Sequence, residues 1–199
     1  MEQEIEAKFL NVDHDEIRAK LKELGAECLV PMRMVRRMVF DYPDRRLKKD
    51  GAWVRVREEL DGTIEMMLKK VASDELGQTF EQPVKVTSYE AAKAFVLSLG
   101  LETKAEEESK RELWQLGDTE IMLDQWPWVN PYIEIEAPTE DAVKNLADKL
   151  GFAWLNAKFG SIVPVYTDKY GITEADFIAA EMTITFDAPV PELLINAHQ

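Results

Sequence analysis

Cysteine is nearly absent: Cys28 stands alone among 199 residues. No intramolecular disulfide can form, which fits a reducing compartment, with the cytoplasm as the expected location. Histidine is almost as scarce, with only His14 and His198. His14 falls in the first turn of an expected helix and His198 in the tail, which argues against a histidine zinc centre or histidine acid–base chemistry. Without a histidine partner, Cys28 reads as a core residue and not a nucleophile. Positive charge is also short. The 24 Lys and Arg face 38 Asp and Glu, leaving a net charge of −14, which disfavours nonspecific attraction to nucleic acid or an anionic membrane. An anionic ligand would need a local basic pocket or a metal. No apolar run approaches the roughly 18 residues of a membrane span, and the acidic start lacks the basic and apolar regions of a signal peptide. A soluble, unprocessed chain is expected.

What is present is alternation. Period-two stretches occur at 3–11, 33–42, 52–59, 63–70, 79–87, 108–116, 119–126 and 131–137, and eight strands are enough to close a barrel. Asp61-Gly62 and Gly117-Asp118 separate paired runs, as hairpin turns should. Amphipathic helical patterns occupy 13–25, 88–100 and 139–151, each ending at a glycine. The order is strand, helix, three strands, then the same again, then a helix, which predicts two topologically similar halves of one antiparallel barrel. Beyond residue 157, Ser161 to Tyr170 reads as a helix broken by Pro164, and Thr173 to Ala180 as a second helix before a proline-containing tail.

Successive side chains of a strand point to opposite faces. In "EQEIEAKF", Glu2, Glu4, Glu6 and Lys8 therefore share one face while Ile5, Ala7 and Phe9 share the other. The same grammar recurs in "AWVRVRE", "IEMMLKK" and "YIEIEA". In a solvated meander the charges would face water. In a barrel with helices outside, the apolar faces would meet the helices and the charges would line the lumen. Periodicity leaves both open, but two features favour the lumen. Three amphipathic helices need an apolar partner. The charges also sort by strand, with acidic pairs on the first and last strands and basic groups on the middle ones, where an exposed sheet would mix signs. Carboxylates are hard ligands suited to magnesium or manganese, while arginine and lysine match phosphate oxygens. Together they suit a triphosphate held between basic walls and a metal floor.

"EIEAK" (Glu4 to Lys8) resembles the ExExK signature of the CYTH domain. This is the triphosphate tunnel metalloenzyme superfamily, which includes class IV adenylyl cyclases, thiamine triphosphatases and inorganic triphosphatases. "VRVR", "MLKK", "FEQPV", "SKREL", "IMLDQW" and "YIEIE" follow in the family's order. The resemblance implies an α+β fold: an eight-stranded antiparallel β-barrel forming a tunnel, with amphipathic helices packed outside. It would span residues 1–172 as a single domain, with 173–199 as a C-terminal helix and tail. It further implies Glu4, Glu6, Asp124, Glu134 and Glu136 on the metal side, with Mg²⁺ or Mn²⁺ as cofactor. Arg55, Arg57, Lys69, Lys110 and Arg111 would face phosphate, with Arg111 equally readable as exposed. Lys8 would contact phosphate or position the attacking group, making Lys8, Glu4 and Glu6 the catalytic set.

The chain departs from the family pattern in places. Its second strand reads "RRMVFD", so Val39 stands at a tyrosine position, with Arg36 or Arg37 as added positive charge, and Pro83 replaces a second acidic residue. The expected activity is hydrolysis of inorganic triphosphate or of a nucleoside or thiamine triphosphate. A class IV type cyclase making cyclic AMP and pyrophosphate from ATP, and a noncatalytic triphosphate- or polyphosphate-binding module, stand as alternatives. The expected partner is a triphosphate-containing small molecule, with no nucleic acid, no membrane, and a homodimer left open.

Overall fold

Ala7 and Phe9 are buried beneath two helices, while Glu6 and Lys8 turn the other way, into a cavity. The computed structural model describes residues 2–72 and 79–197, with residues 2–4 described by backbone alone. The strands are β1 (Glu2–Glu4), β2 (Glu6–Leu10), β3 (Glu27–Asp41), β4 (Ala52–Glu58), β5 (Ile64–Val71), β6 (Thr79–Val86), β7 (Glu102–Leu116), β8 (Thr119–Gln125) and β9 (Tyr132–Glu136). They form one antiparallel sheet in the order β1-β6-β5-β4-β3-β7-β8-β9-β2. β1 and β2 sit at opposite ends of that order, yet only Ile5 separates them in the chain. The expected first strand is thus interrupted at Ile5. One half pairs with β6 and the other with β9, which curls the sheet round on itself. Counting the two halves as one strand gives the eight-stranded α+β tunnel the alternation predicts.

The helices cover the apolar outer face. Helices α1 (His14–Glu23) and α4 (Glu140–Leu150) place Ile17, Leu21, Val143, Leu146 and Leu150 against Ala7, Phe9, Ile121, Leu123, Ile133 and Ile135. Each fully buried side chain of this size contributes roughly 1.5–3 kcal/mol. Asp13 and Thr139 cap these helices by accepting backbone N–H bonds, and Gly151, at φ 91°, ends α4 in a conformation that other residues rarely adopt. A short helix α2 (Arg46–Lys49) follows β3. Helix α3 (Tyr89–Ser98) covers Met38, Phe40 and Val56.

Two strands run longer than the alternation predicts. β3 begins at Glu27 rather than near 33, and β7 at Glu102 rather than near 108. The weakly patterned start of each pairs with the well-patterned end of the other, as in Glu27↔Gln115 and Asp41↔Glu102. Cross-strand pairing therefore supplies the order that local pattern lacks.

Helix α5 (Val163–Tyr170) carries Pro164 in its first turn instead of breaking there, because that turn has no use for the missing N–H. Helices α6 (Glu174–Ala179) and α7 (Glu192–Asn196) follow. β7 pairs with β8 only from Lys110 onward, and the tail covers its earlier edge. There the Ile184 amide donates to the Glu106 carbonyl, and the Glu108 amide donates to the Ile184 carbonyl, both at 2.8 Å. No helix among the described residues is long and apolar enough to cross a membrane.

Outside the tunnel, Glu112 pins α1 to β7. Arg18 donates to it from Nε at 3.0 Å and from Nη2 at 2.9 Å, and Trp114 Nε1 donates at 2.5 Å. Burial opposes the ionised form, but Arg18 and Trp114 outweigh it and hold the carboxyl below its ordinary 4.5. A carboxyl lowered in the folded state adds stability above its unfolded pKa and loses it as pH falls. Thermal midpoints measured from about pH 7 down to about pH 3 are expected to fall below pH 4.5, with a shallower fall in Glu112→Gln. Parallel curves for the two proteins would exclude Glu112 as the responsible group.

Candidate functional site

A cavity of about 770 Å³ runs through the barrel. Strand alternation decides what lines it. β4 contributes Trp53, Arg55 and Arg57, β5 contributes Glu65 and Lys69, and β6 contributes Glu81 and Lys85. On the opposite wall, β2 offers Glu6 and Lys8, and β9 offers Tyr132, Glu134 and Glu136. The C-terminal segment closes part of the wall with Gly160, Ser161, Phe177 and Ile184.

The charges neutralise one another. Buried Lys8 Nζ lies 2.9 Å from Glu6 and 3.3 Å from Glu134, and donates to the Gly160 carbonyl at 2.7 Å. Burial alone would lower the Lys8 ammonium, but Glu134 and Glu6 outweigh burial and hold it above its ordinary value. Lys8 is therefore a fixed cation and a hydrogen-bond donor rather than a base. Arg111 grips Asp124 through Nε at 2.8 Å and Nη2 at 2.6 Å, and the same Nη2 donates to Glu134 at 2.6 Å. Burial and the neighbouring Glu134 push the Asp124 carboxyl up. Although burial opposes it, Glu134 is held well below its ordinary value by Lys8 and Arg111. Glu81 takes Lys69 at 2.8 Å and Arg55 at 3.4 Å, and Glu59 takes Arg57.

Of the residues expected from the sequence, Glu6, Lys8, Arg55, Arg57, Lys69, Arg111, Glu134 and Glu136 line this one cavity, and Asp124 joins them through Arg111. The side chain of Glu4 and the whole of His198 lie outside the described residues. Lys110 is placed elsewhere. The pleat of β7 turns Arg111 inward and Lys110 outward, where its Nζ lies 5.0 Å from the Phe186 ring centroid. Arg36 also faces outward, 2.7 Å from Glu58, while Arg37 faces the cavity. Tyr166 and Tyr170 anchor the C-terminal segment by donating to the carbonyls of Pro127 at 2.9 Å and Trp128 at 2.6 Å.

Several lining residues lie outside the expected set, among them two carboxylates. Glu107 stands opposite Arg37, and Glu120 opposite Glu136, which itself faces Glu6 across the next strand. Their signal was available as the i±4 positions of Arg111 and Asp124 on the same strand faces. Trp126, immediately after β8, lines the cavity as well.

The carboxylates of the Glu6–Glu136–Glu120 row and of Glu134 are all-oxygen donors, the chemistry Mg²⁺ or Mn²⁺ prefers. They fit such an ion by type and by strand register. Among the described residues, no three acidic, histidine or cysteine side chains are already gathered into a ligand sphere. Glu6 and Glu134 are instead turned onto Lys8 and Arg111.

An antiparallel tunnel carrying inward acidic and basic strands defines a class of protein, and the comparisons agree with it. The CYTH domain family model matches residues 2–155, and the chain belongs to that family. A candidate adenylate cyclase from Vibrio parahaemolyticus superposes with a TM-score of 0.73 at 18% identity, covering 83% of this chain and 98% of the other. The PH1012 protein of Pyrococcus horikoshii OT3 gives 0.68 at 20% identity, covering 81% and 98%. HpAC1 from Hippeastrum, a candidate adenylyl cyclase described as having a dominant triphosphatase activity, gives 0.59 at 12% identity, covering 92% and 99%. At these identities the likeness speaks for the fold. A search of curated proteins finds no match.

Proposed function

We propose that the chain is a divalent-metal-dependent triphosphatase that hydrolyses inorganic triphosphate or an organic triphosphate inside the tunnel. The observation that carries this reading is the convergence of Lys8, Arg37, Arg55, Arg57, Lys69 and Arg111 on one cavity in a protein of net charge −14. Such a concentration of cations matches a polyanion. Phosphoryl transfer depends mainly on positioning and charge neutralisation. Arg55, Arg57 and Lys69 supply the grip, and Lys8, kept protonated, supplies charge and donors near the acidic wall. Glu6, Glu134 and Glu136, with Glu4 beside them in sequence, are the residues that would hold Mg²⁺ or Mn²⁺. The ion would neutralise phosphate oxygens and lower the pKa of the attacking water. The carboxylates now paired with Lys8 and Arg111 become available for a cation when phosphate oxygens take over those two partners, so metal and polyphosphate would assist each other's binding. The retained acidic wall weighs against a noncatalytic binder, which needs only the basic one.

The test is incubation of the purified protein with Mg²⁺ or Mn²⁺ and, separately, tripolyphosphate and ATP, resolving orthophosphate, pyrophosphate and cyclic AMP. Orthophosphate without cyclic AMP is the expected result. Cyclic AMP with equimolar pyrophosphate would make the protein a cyclase, and binding without any product would make it a binding module.

A further inference from the structure

Four cations that line the cavity are buried: Lys8, Arg37, Arg55 and Lys69. Three of them have a carboxylate within ion-pair distance, namely Glu6 and Glu134 for Lys8 and Glu81 for Arg55 and Lys69. Arg37 has none among the described residues. Its Nη2 donates to the Ser109 hydroxyl, its guanidinium carbon sits 4.4 Å from the Trp126 ring centroid, and its Nε is buried without an acceptor. Trp126 Nε1 is likewise buried without an acceptor among the described residues. Arg37 is 5% exposed and Trp126 4%. Glu107 faces Arg37 from β7, but it lies beyond ion-pair distance and is itself pushed toward its neutral form by burial. The other charges facing Arg37 are Arg55, Arg57 and Arg111, and together with burial they lower its guanidinium to about 10, still charged near neutral pH.

A buried guanidinium without a counter-ion and an adjacent indole N–H without an acceptor are costly to keep. They stop being costly when a tetrahedral oxyanion accepts from both. Building on the triphosphatase reading, we infer that Arg37 and Trp126 form the anchoring site for one phosphoryl group of the polyanion. The other buried cations already have a carboxylate partner, whereas a phosphate would give Arg37 its counter-ion.

This predicts opposite signs for stability and binding. In the ligand-free protein, Arg37→Met removes an uncompensated charge, so the thermal midpoint is expected to rise by about 2–4 °C. Tripolyphosphate affinity, measured by calorimetry without divalent metal, is expected to fall about 100-fold. Trp126→Phe keeps the ring and removes the donor, with an expected loss of about 5- to 10-fold. A purely structural Arg37 would lower the midpoint when replaced, and that result overturns the inference, as does wild-type affinity in either variant. Arg37→Lys, which keeps the charge and loses the fork, gives a second affinity measurement, with an expected loss of about 10-fold. Wild-type protein that binds no tripolyphosphate would overturn the functional reading itself. Binding by the wild type that survives Arg37→Met would overturn only the anchor.

Discussion

Arg111→Met is expected to destabilise the protein by about 3–5 kcal/mol, the range found when one partner of a buried ion pair is removed. Arg111 is the shared counter-ion of Asp124, which is fully buried, and of Glu134, which is nearly so. Without the guanidinium, Asp124 keeps a carboxylate with no cation in contact, and Glu134 retains only Lys8. For a chain of this size the thermal midpoint should fall by roughly 10 °C. Arg111→Lys keeps the charge but not the planar fork that bonds Asp124 through two nitrogens, so it should recover only part of the loss. Pairing Arg111→Met with Asp124→Asn should recover part of it by another route, because the amide needs no counter-ion. Paired thermal unfolding curves make the check. A midpoint within about 2 °C of wild type for Arg111→Met would show that the buried pair does not form in solution.

If the proposed triphosphatase reading holds, Glu6→Gln is expected to leave the fold in place and to lower turnover about 100-fold or more, the scale of losing one group that stabilises developing charge. Glutamine keeps the shape and an acceptor for the Lys8 ammonium, and Lys8 keeps Glu134 and the Gly160 carbonyl, so the packing around β2 has no reason to change. What is lost is a negative oxygen donor in register with Glu136. Turnover measured across a magnesium titration, alongside the unfolding midpoint, separates the two roles. Wild-type turnover at saturating Mg²⁺ would remove Glu6 from the metal side. A collapse of the midpoint would make it a structural carboxylate.

Much of the candidate site was legible because a strand's period of two leaves no freedom within a strand. Once Arg55 is inside, Arg57 follows, as Glu6 implies Lys8 and Glu134 implies Glu136. Phase between adjacent basic residues was not legible. "SKREL" offers Lys110 and Arg111 equally, and only the pairing of Arg111 with Asp124 across β7 and β8 fixes which one enters the lumen. "RRMVFD" poses the same ambiguity, and the register of Arg37 with Arg57 and Glu107 turns Arg37 inward.

By itself, the sequence determined the local grammar: which stretches alternate, where helices are capped, that its single cysteine forms no disulfide within these residues, and which charges share a strand face. Tertiary structure decided which face is the inside. It did so by splitting the first strand at Ile5 so that its halves close the sheet, by laying α1, α3 and α4 over the apolar faces, and by recruiting the weakly patterned ends of β3 and β7. The physical reason is that alternation constrains neighbours two residues apart. Closure, register and the pairing state of a buried charge depend on residues far apart in the chain. Arg37 is the clearest case, since its lack of a counter-ion among the described residues becomes visible only when the strands that surround it are in place.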